Sequence, residues 1–336
     1  VAAGIEPGDR VAIWAPNIWE WPVTVLGLHL AGAVLVPLNT RYKGNEAAYI
    51  LNRSRAKLLF CVQGFLGNEY VTMLDGHDVA ALERIVVLRG EPAGSSTTCD
   101  RFMQLDDPAH REPLDRAVAE RVAALGPDSL SDILFTSGTT GAPKGVEVEH
   151  RQLVAFLEAM HQALDPKPDD VLLSVTTPAF DIAGLEIWLP LTLGARVVFA
   201  TREEALDGRL LRALISRHNV RFLQATPATW RLLLESGWTG TPGLVALCGG
   251  EEMPRALAAA LLDKVDALWN MYGPTETTIW STMHRVTRAD LDRPRIPIGH
   301  PITNTRVHVL EASRGRAAIG AQGELGIAGE GVARGY

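Results

Sequence analysis

Cysteine is scarce in this chain. Cys61, Cys99 and Cys248 are spread over 336 residues without a CxxC pair or a Cys/His ligand spacing, which excludes a disulfide framework and a zinc module. Basic charge is not in excess either: 32 Lys and Arg face 39 Asp and Glu, a net −7 with both signs scattered. A nucleic-acid binder would carry a basic patch or stripe, so no nucleic-acid partner is expected. Long apolar runs are missing as well. The longest, residues 23–38, is interrupted by His29, Gly32 and Pro37 and falls short of the ~18 apolar residues of a membrane span. It reads as a buried helix followed by a buried strand, and no membrane partner is expected. With no initiator Met and no leader pattern, the chain reads as an excerpt of a longer, cytoplasmic protein.

What is present is ordinary globular composition, 47% hydrophobic and 21% charged, enough to bury a large core. Length allows about two domains at roughly 150 residues each. Short β-rich apolar runs alternate with helical patterns, the signature of α/β architecture with mostly parallel sheets. Strands are expected at 10–14, 33–37 and 57–62, with helices at 20–30 and 45–52. A turn-rich connection at 90–128 holds one short helix at 114–125 and marks the best internal boundary. A second series follows, with strands near 132–135, 145–148, 171–175, 196–200, 221–224, 244–247 and 267–269. The helix after Ala200 opens with Thr201 and Glu204 at capping-box spacing. After His284 only short strands and turns remain. The expected division is a first α/β subdomain at 1–128, a second at 129–284 carrying the pockets, and a small β-rich unit at 285–336.

Residues 131–145 read SDILFTSGTTGAPKG, a strand running into hydroxyls and glycines with a lysine behind them. Such a bend supplies backbone N–H and hydroxyl donors to phosphate oxygens. It is not a Walker A loop, because Gly145 follows Lys144 where Ser or Thr is required. The glycines at 329, 331 and 335 do not make a dinucleotide fingerprint either, having the wrong spacing and no βαβ unit after them. A second bend, Asn270-Met271-Tyr272-Gly273-Pro274-Thr275-Glu276, presents an aromatic face, a hydroxyl and a carboxylate from one turn. A purine can stack on the ring, the hydroxyl can meet a phosphate, and the carboxylate can hold Mg²⁺ together with substrate phosphates. Paired glycines at 249 and 250, followed by Glu251, let backbone approach a flat ligand.

The strings FTSGTTGAPKG, NMYGPTETT and GELGIAGEGVARGY occur in that order, and with them the chain resembles the adenylate-forming superfamily of acyl-CoA synthetases, luciferases and nonribosomal peptide synthetase adenylation domains. The resemblance covers the whole chain as the large N-terminal portion of such an enzyme. It implies two stacked α/β subdomains plus a small barrel-like β unit, with the C-terminal lid domain absent. It also implies ATP and Mg²⁺. The nucleotide would be held by Thr136, Ser137, Gly138, Thr139, Thr140, Gly141 and Lys144. Gly249, Gly250, Glu251, Asn270, Tyr272 and Gly273 would complete its site. Tyr272 would lie against adenine and Thr275 on the α-phosphate, with Glu276 and Thr139 at the metal. The chemistry implied is attack of a carboxylate on the α-phosphorus of ATP, release of pyrophosphate, and transfer of the acyl group to coenzyme A or to the phosphopantetheine arm of a carrier protein.

Asp181 lies in the apolar stretch PAFDIAGLEIW. The residues alone leave open whether it caps a helix or meets a cationic ligand. The stretch is similar to the amino-acid-activating branch, in which the aspartate binds the substrate ammonium. The same resemblance, carried over by position, makes the pocket lining Ile182, Leu185, Ala225, Leu247, Gly249, Met271, Ile279 and Trp280. The lining is neutral and apolar and similar to that of glycine activation, except that Ala225 stands where that pattern has glutamine. Glycine is the first expectation, alanine or another small aliphatic amino acid the second. Residues 35–60 are more similar to acyl-CoA synthetases, with Asn39-Thr40 in place of an aspartate-proline pair, so a fatty or aryl acyl-CoA ligase is the alternative enzyme. A non-catalytic nucleotide-binding module is the alternative outside enzymes. Without the C-terminal lysine of the family, for which Lys144 is no substitute, weak turnover is expected of this stretch alone.

Overall fold

The computed structural model describes residues 1–103, 111–136 and 143–336. It forms two compact units, residues 1–150 with 177–180 and 334–336, and residues 151–176 with 181–333.

The first unit is built on seven strands: β1 (Arg10–Trp14), β2 (Val34–Pro37), β3 (Leu58–Val62), β4 (Arg84–Arg89), β5 (Thr97–Thr98), β6 (Leu130–Thr136) and β7 (Lys144–Glu149). Their order is β5-β4-β3-β1-β2-β6-β7, parallel throughout except for the β6–β7 pair. β3 is buried at all five positions, the continuous apolar run of a strand covered on both faces. Helix Glu20–Leu30 turns Trp21, Val25 and Leu28 inward, a spacing of four and three that keeps one face on the core. The expected boundary at residue 128 falls inside this unit. Leu35 of β2 pairs with Asp132 of β6, so the strands expected at 132–135 and 145–148 extend the first sheet and not the second. The connection at 90–128 is an excursion within the unit, and its helix Arg111–Ala124 is pinned by Arg121, which donates to the carbonyls of Ile5 and Ala31 and pairs with Glu6.

Beside β6 sits a group of titrating side chains. His29 Nε2 lies 3.2 Å from the Ser131 carbonyl, and its ring meets that of His150 edge-on at 5.2 Å. Burial holds the His29 imidazole down at about 4, from an ordinary 6.5, against the pull of the Ser131 carbonyl. Between those values the unfolded chain takes up a proton that the folded chain refuses, so stability is lost as pH falls from 6.5 to 4. Asp132, pushed up to about 6 by burial, acts in the opposite sense, costing stability as pH rises from about 4 to 6. His150, held down by burial and by His29, acts in the same sense as His29, so His29→Gln removes the His29 contribution and eases that of His150. Urea unfolding at pH 7.5 and 4.5 should show the wild type losing on the order of 3 kcal/mol more than the variant, at about 1.4 kcal/mol per pKa unit.

The second unit carries β8 (Val171–Ser174), β9 (Arg196–Phe199), β10 (Phe222–Ala225), β11 (Val245–Cys248), β12 (Ala267–Tyr272), β13 (Thr282–Arg285) and β14 (His300–Pro301). Their order is β14-β13-β12-β11-β10-β8-β9. β8 to β12 are parallel, while β13 and β14 are antiparallel additions at one edge. Alternate residues separate into two cores. Leu173, Leu223, Ala225 and Ala246 pack with Leu211, Trp230 and Leu257. Leu172, Phe222, Val245 and Leu247 pack with Phe156, Met160, Leu185 and Trp280. That is period-two alternation with both faces covered by helices. The capping box at Thr201 is present, its hydroxyl accepting from Glu204 N while Glu204 accepts from Thr201 N. The small β unit takes the form of an antiparallel hairpin, β15 (Thr305–Leu310) with β16 (Glu324–Gly329). No helix among the described residues is long and apolar enough to cross a membrane.

Candidate functional site

In the second sheet, β8 is followed in sequence by β9 on one side, whereas β10 lies on the other. Ligands of open α/β sheets bind outside the carboxyl ends of strands at such a reversal. The segments that leave these ends are Ser174-Val175-Thr176 after β8, Gly249-Gly250 after β11 and Gly273-Pro274 after β12. They contain or lead to most of the residues singled out in the sequence.

The Tyr272 bend is sterically determined. A Cβ on Gly273 would lie 2.4 Å from the Ile279 carbonyl oxygen, 2.7 Å from Trp280 Cα and 2.8 Å from Ser281 N, so only glycine fits. Thr275–Thr277 makes a single 3-10 turn, and Thr278 and Ile279 follow in the left-handed region at φ 59° and 68°. For a β-branched pair this is strain of the kind held at functional sites. It is held by Thr277 Oγ1 against Ser281 Oγ at 2.5 Å and by Thr278 Oγ1 donating to the Gly331 carbonyl at 2.8 Å. Gly331, Val332 and Ala333 of the third motif thus lie against the bend. Ala333 N also donates to the Glu276 carbonyl at 2.9 Å, and Gln152 Nε2 donates to Val332 O at 2.9 Å.

Asp181 joins this bend. Its carbonyl accepts from Gly184 N and its carboxylate from Ile182 N at 2.8 Å, just ahead of helix Ala183–Thr192, whose N-cap is Ile182. The Asp181 carboxyl is raised above the ordinary carboxylate range by burial, with the nearby Thr275 side chain opposing and the charge of Glu276 adding to the effect. Asp181, Thr275 and Glu276 therefore occupy one locus. Two carboxylates brought together with one of them desolvated call for a cation. Among the described residues no group of three or more His, Cys, Asp or Glu could hold a metal ion; the donor set suits Mg²⁺ shared with phosphates, which takes one or two carboxylates. Tyr272 keeps 38% of its surface exposed, leaving a ring face for stacking. Asn270 is buried and donates to the Pro297 carbonyl at 2.8 Å.

Behind Asp181 the apolar residues assemble. Leu185, Leu247, Met271, Ile279 and Trp280 are each at most 3% exposed and share one cluster, with Ile182 packed on it. Gly249 lies against the indole, since a Cβ there would sit 2.5 Å from Trp280 Cη2. Gly250, at φ 82°, and Glu251 face solvent. Ala225 is the exception, belonging to the core on the opposite sheet face. The side chain on the Trp280 face of β10 is its neighbour Gln224. So the amide missing at position 225 is present one residue earlier.

Sequence reasoning passed over Gln224 and Glu186. Glu186 is fully buried. Its Oε2 accepts from Ser174 Oγ, Val175 N and Thr176 N at 2.9–3.1 Å. Its Oε1 accepts from Thr176 Oγ1 at 2.6 Å and Gln224 Nε2 at 2.9 Å. Burial raises its carboxyl, these donors opposing. The available signal was the same one that marks Asp181, an acidic residue in an apolar stretch.

In the first unit, Thr136 and Lys144 are register partners at the open end of β6 and β7, and the Lys144 ammonium lies 5.2 Å from the Tyr336 ring centroid. Ser137, Gly138, Thr139, Thr140 and Gly141 lie outside the described residues, and with them the second expected metal group.

The sequence matches the AMP-binding enzyme family over residues 1–336. It is 34% identical over 337 residues to a dimodular nonribosomal peptide synthase of Bacillus subtilis, covering 100% of this chain and 13% of that protein. It is 37% identical over 293 residues to an octahydroindenyl-propanoyl:CoA ligase of Mycobacterium tuberculosis, covering 85% of this chain and 56% of that one. The chain thus spans only part of the length of these relatives. Among solved structures it resembles a four-domain nonribosomal peptide synthetase bound to AMP and glycine, with a TM-score of 0.80 and 35% identity over 100% of this chain and 22% of the other.

Proposed function

We propose, because the chain belongs to the AMP-binding enzyme family, that it is the core of an adenylate-forming ligase that activates a small α-amino acid, glycine before alanine. The observation that carries this reading is the convergence of Asp181, Thr275 and Glu276 in front of an apolar cluster. An α-ammonium group meets Asp181 there, and its charge relieves the repulsion between the two carboxylates. The substrate carboxylate forms a bond to the α-phosphorus of ATP as the bond to pyrophosphate breaks. The hydroxyl of Thr275 then meets the charge building on phosphate oxygens. Glu276 would hold Mg²⁺, which supplies neutralisation of the phosphates. The aminoacyl adenylate passes to a carrier-protein phosphopantetheine thiol. Similarity to a synthetase whose structure contains AMP and glycine supports the choice of amino acid.

The second reading, an acyl-CoA ligase, is favoured by the 37% identity to the mycobacterial enzyme. ATP–pyrophosphate exchange by the intact protein separates the two. Glycine should give the highest rate, alanine less, and acetate, propionate and octanoate background. A simple carboxylic acid at the head of that series would overturn the amino-acid reading.

A further inference from the structure

No role assigned above uses Tyr336, which ends the third motif. It belongs to the first unit together with Arg334 and Gly335, because these residues run antiparallel to β7. Glu147 N donates to the Gly335 carbonyl and Arg334 N to the Glu147 carbonyl, each at 2.9 Å. β7 is the edge strand of its sheet, so the motif satisfies edge groups that would otherwise stand open. The same segment meets the charges of the strand. Glu147 and Glu149 lie an odd number of residues from Lys144 and so on the other face of β7, where Arg334 Nε approaches them at 3.9 and 4.0 Å. The Lys144 ammonium rests instead over the Tyr336 ring, 5.2 Å from its centroid.

The backbone beneath that ammonium is held from three sides. Lys144 pairs with Thr136 across the sheet, and the Pro143 carbonyl accepts from Tyr49 Oη at 3.3 Å. Gly145 packs so closely on β6 that a Cβ there would lie 2.8 Å from Ile133 Cγ2. What the backbone leaves free is the long lysine side chain, which loses much rotamer entropy when a ligand orders it. A ring face restrains an ammonium without neutralising it. A carboxylate would cancel the charge and would have to be displaced by an incoming phosphate, whereas the ring leaves N–H donors and charge available to an anion. We propose that Tyr336 is the positioning residue of Lys144, its ring keeping the ammonium ordered and charged at the foot of the phosphate bend until the triphosphate of ATP arrives. Tyr336 acts through the lysine and touches no substrate. This rests on the reading of Lys144 as a nucleotide contact and adds the residue that aims it.

The test measures binding of α,β-methylene-ATP with Mg²⁺ to the intact protein by calorimetry. This analogue cannot be cleaved at the α-phosphorus, so affinity is read without turnover. Lys144→Met should weaken binding about tenfold or more. Tyr336→Leu should weaken it about two- to fivefold, which is about 0.5–1 kcal/mol at 1.4 kcal/mol per tenfold. Tyr336→Phe keeps the ring and should recover most of that loss. Beside Lys144→Met, Tyr336→Leu should change nothing further, because the group it positions is gone. Tyr336 is 62% exposed, so these substitutions leave the core untouched. Wild-type affinity in Tyr336→Leu, a Tyr336→Phe as weak as Tyr336→Leu, or a Tyr336→Leu effect that persists in full beside Lys144→Met would overturn the proposal. The two claims come apart in the single variants. If Lys144→Met binds as the wild type does, the nucleotide role of Lys144 fails and the positioning role with it. If Lys144→Met is weak and Tyr336→Leu is not, only the positioning role fails.

Discussion

Asp181→Ala should lower glycine-dependent exchange by a factor of about 10² to 10³ while leaving ATP binding largely in place. Removing one partner of a desolvated charge pair costs about 2–5 kcal/mol, at roughly 1.4 kcal/mol per tenfold. On the proposed amino-acid reading the lost partner is the substrate's ammonium, so the loss should fall on amino acids and not on simple acids. Were the protein an acyl-CoA ligase, use of its acid would survive the substitution. A second readout follows from the raised carboxyl of Asp181, which burial and Glu276 push above its usual range in the empty site. A raised group retains its proton to higher pH. Binding of an ammonium favours the ionised form, so binding of the non-hydrolysable analogue glycyl-sulfamoyl adenosine should release a proton at acidic pH and strengthen as pH rises. Calorimetry in buffers of different ionisation enthalpy measures this directly, and Asp181→Asn should abolish the release.

Gly273→Ala should have the second largest effect. All three nearest atoms to the added methyl are backbone, the closest at 2.4 Å, so no side chain can swing aside. The bend itself must move, at about 1–3 kcal/mol in stability. Because Thr275, Glu276 and Ile279 ride on that bend, a displacement approaching 1 Å should cost about 10² in exchange rate. Gly27→Ala is the matched control. Gly27 lies within helix Glu20–Leu30 with nothing within 4 Å of the added methyl, and the variant should gain about 0.4–1 kcal/mol through the unfolded state. Thermal melts and exchange assays on the two variants should move in opposite directions for stability, and for activity only in Gly273→Ala.

Much of this architecture is legible in the residues. Strands buried on both faces, such as Leu58–Val62 and Val245–Cys248, announce themselves as apolar runs. Arg84–Arg89 carries the apolar run Ile85–Leu88 that marks a strand, whereas Thr282–Arg285, between β12 and β14, has only Met283 among polar residues and shows no pattern that local reading can separate from loop. Partnership between strands is less legible still. Only the pairing of Leu35 with Asp132 assigns β6 to the first sheet, and nothing near residue 132 encodes a partner nearly a hundred positions away. At the site, the chemistry-bearing motifs were visible because glycine and hydroxyl clusters have few other uses. The misplaced glutamine has a simpler cause. Neighbouring residues of a strand face opposite ways, so an offset of one exchanges Ala225 for Gln224 and one core for the other.

The seam between the Thr275–Thr278 turn and Gly331–Ala333 carries a last consequence. Two hydrogen bonds cross it, at the Glu276 carbonyl and the Thr278 hydroxyl, and the left-handed pair Thr278–Ile279 lies directly behind them. Detaching that strap would let the strained pair relax, and the relaxation would be transmitted at once to Thr275 and Glu276, the two side chains proposed to be catalytic. Amide exchange at Ala333 is therefore a remote reporter on whether the turn is cocked.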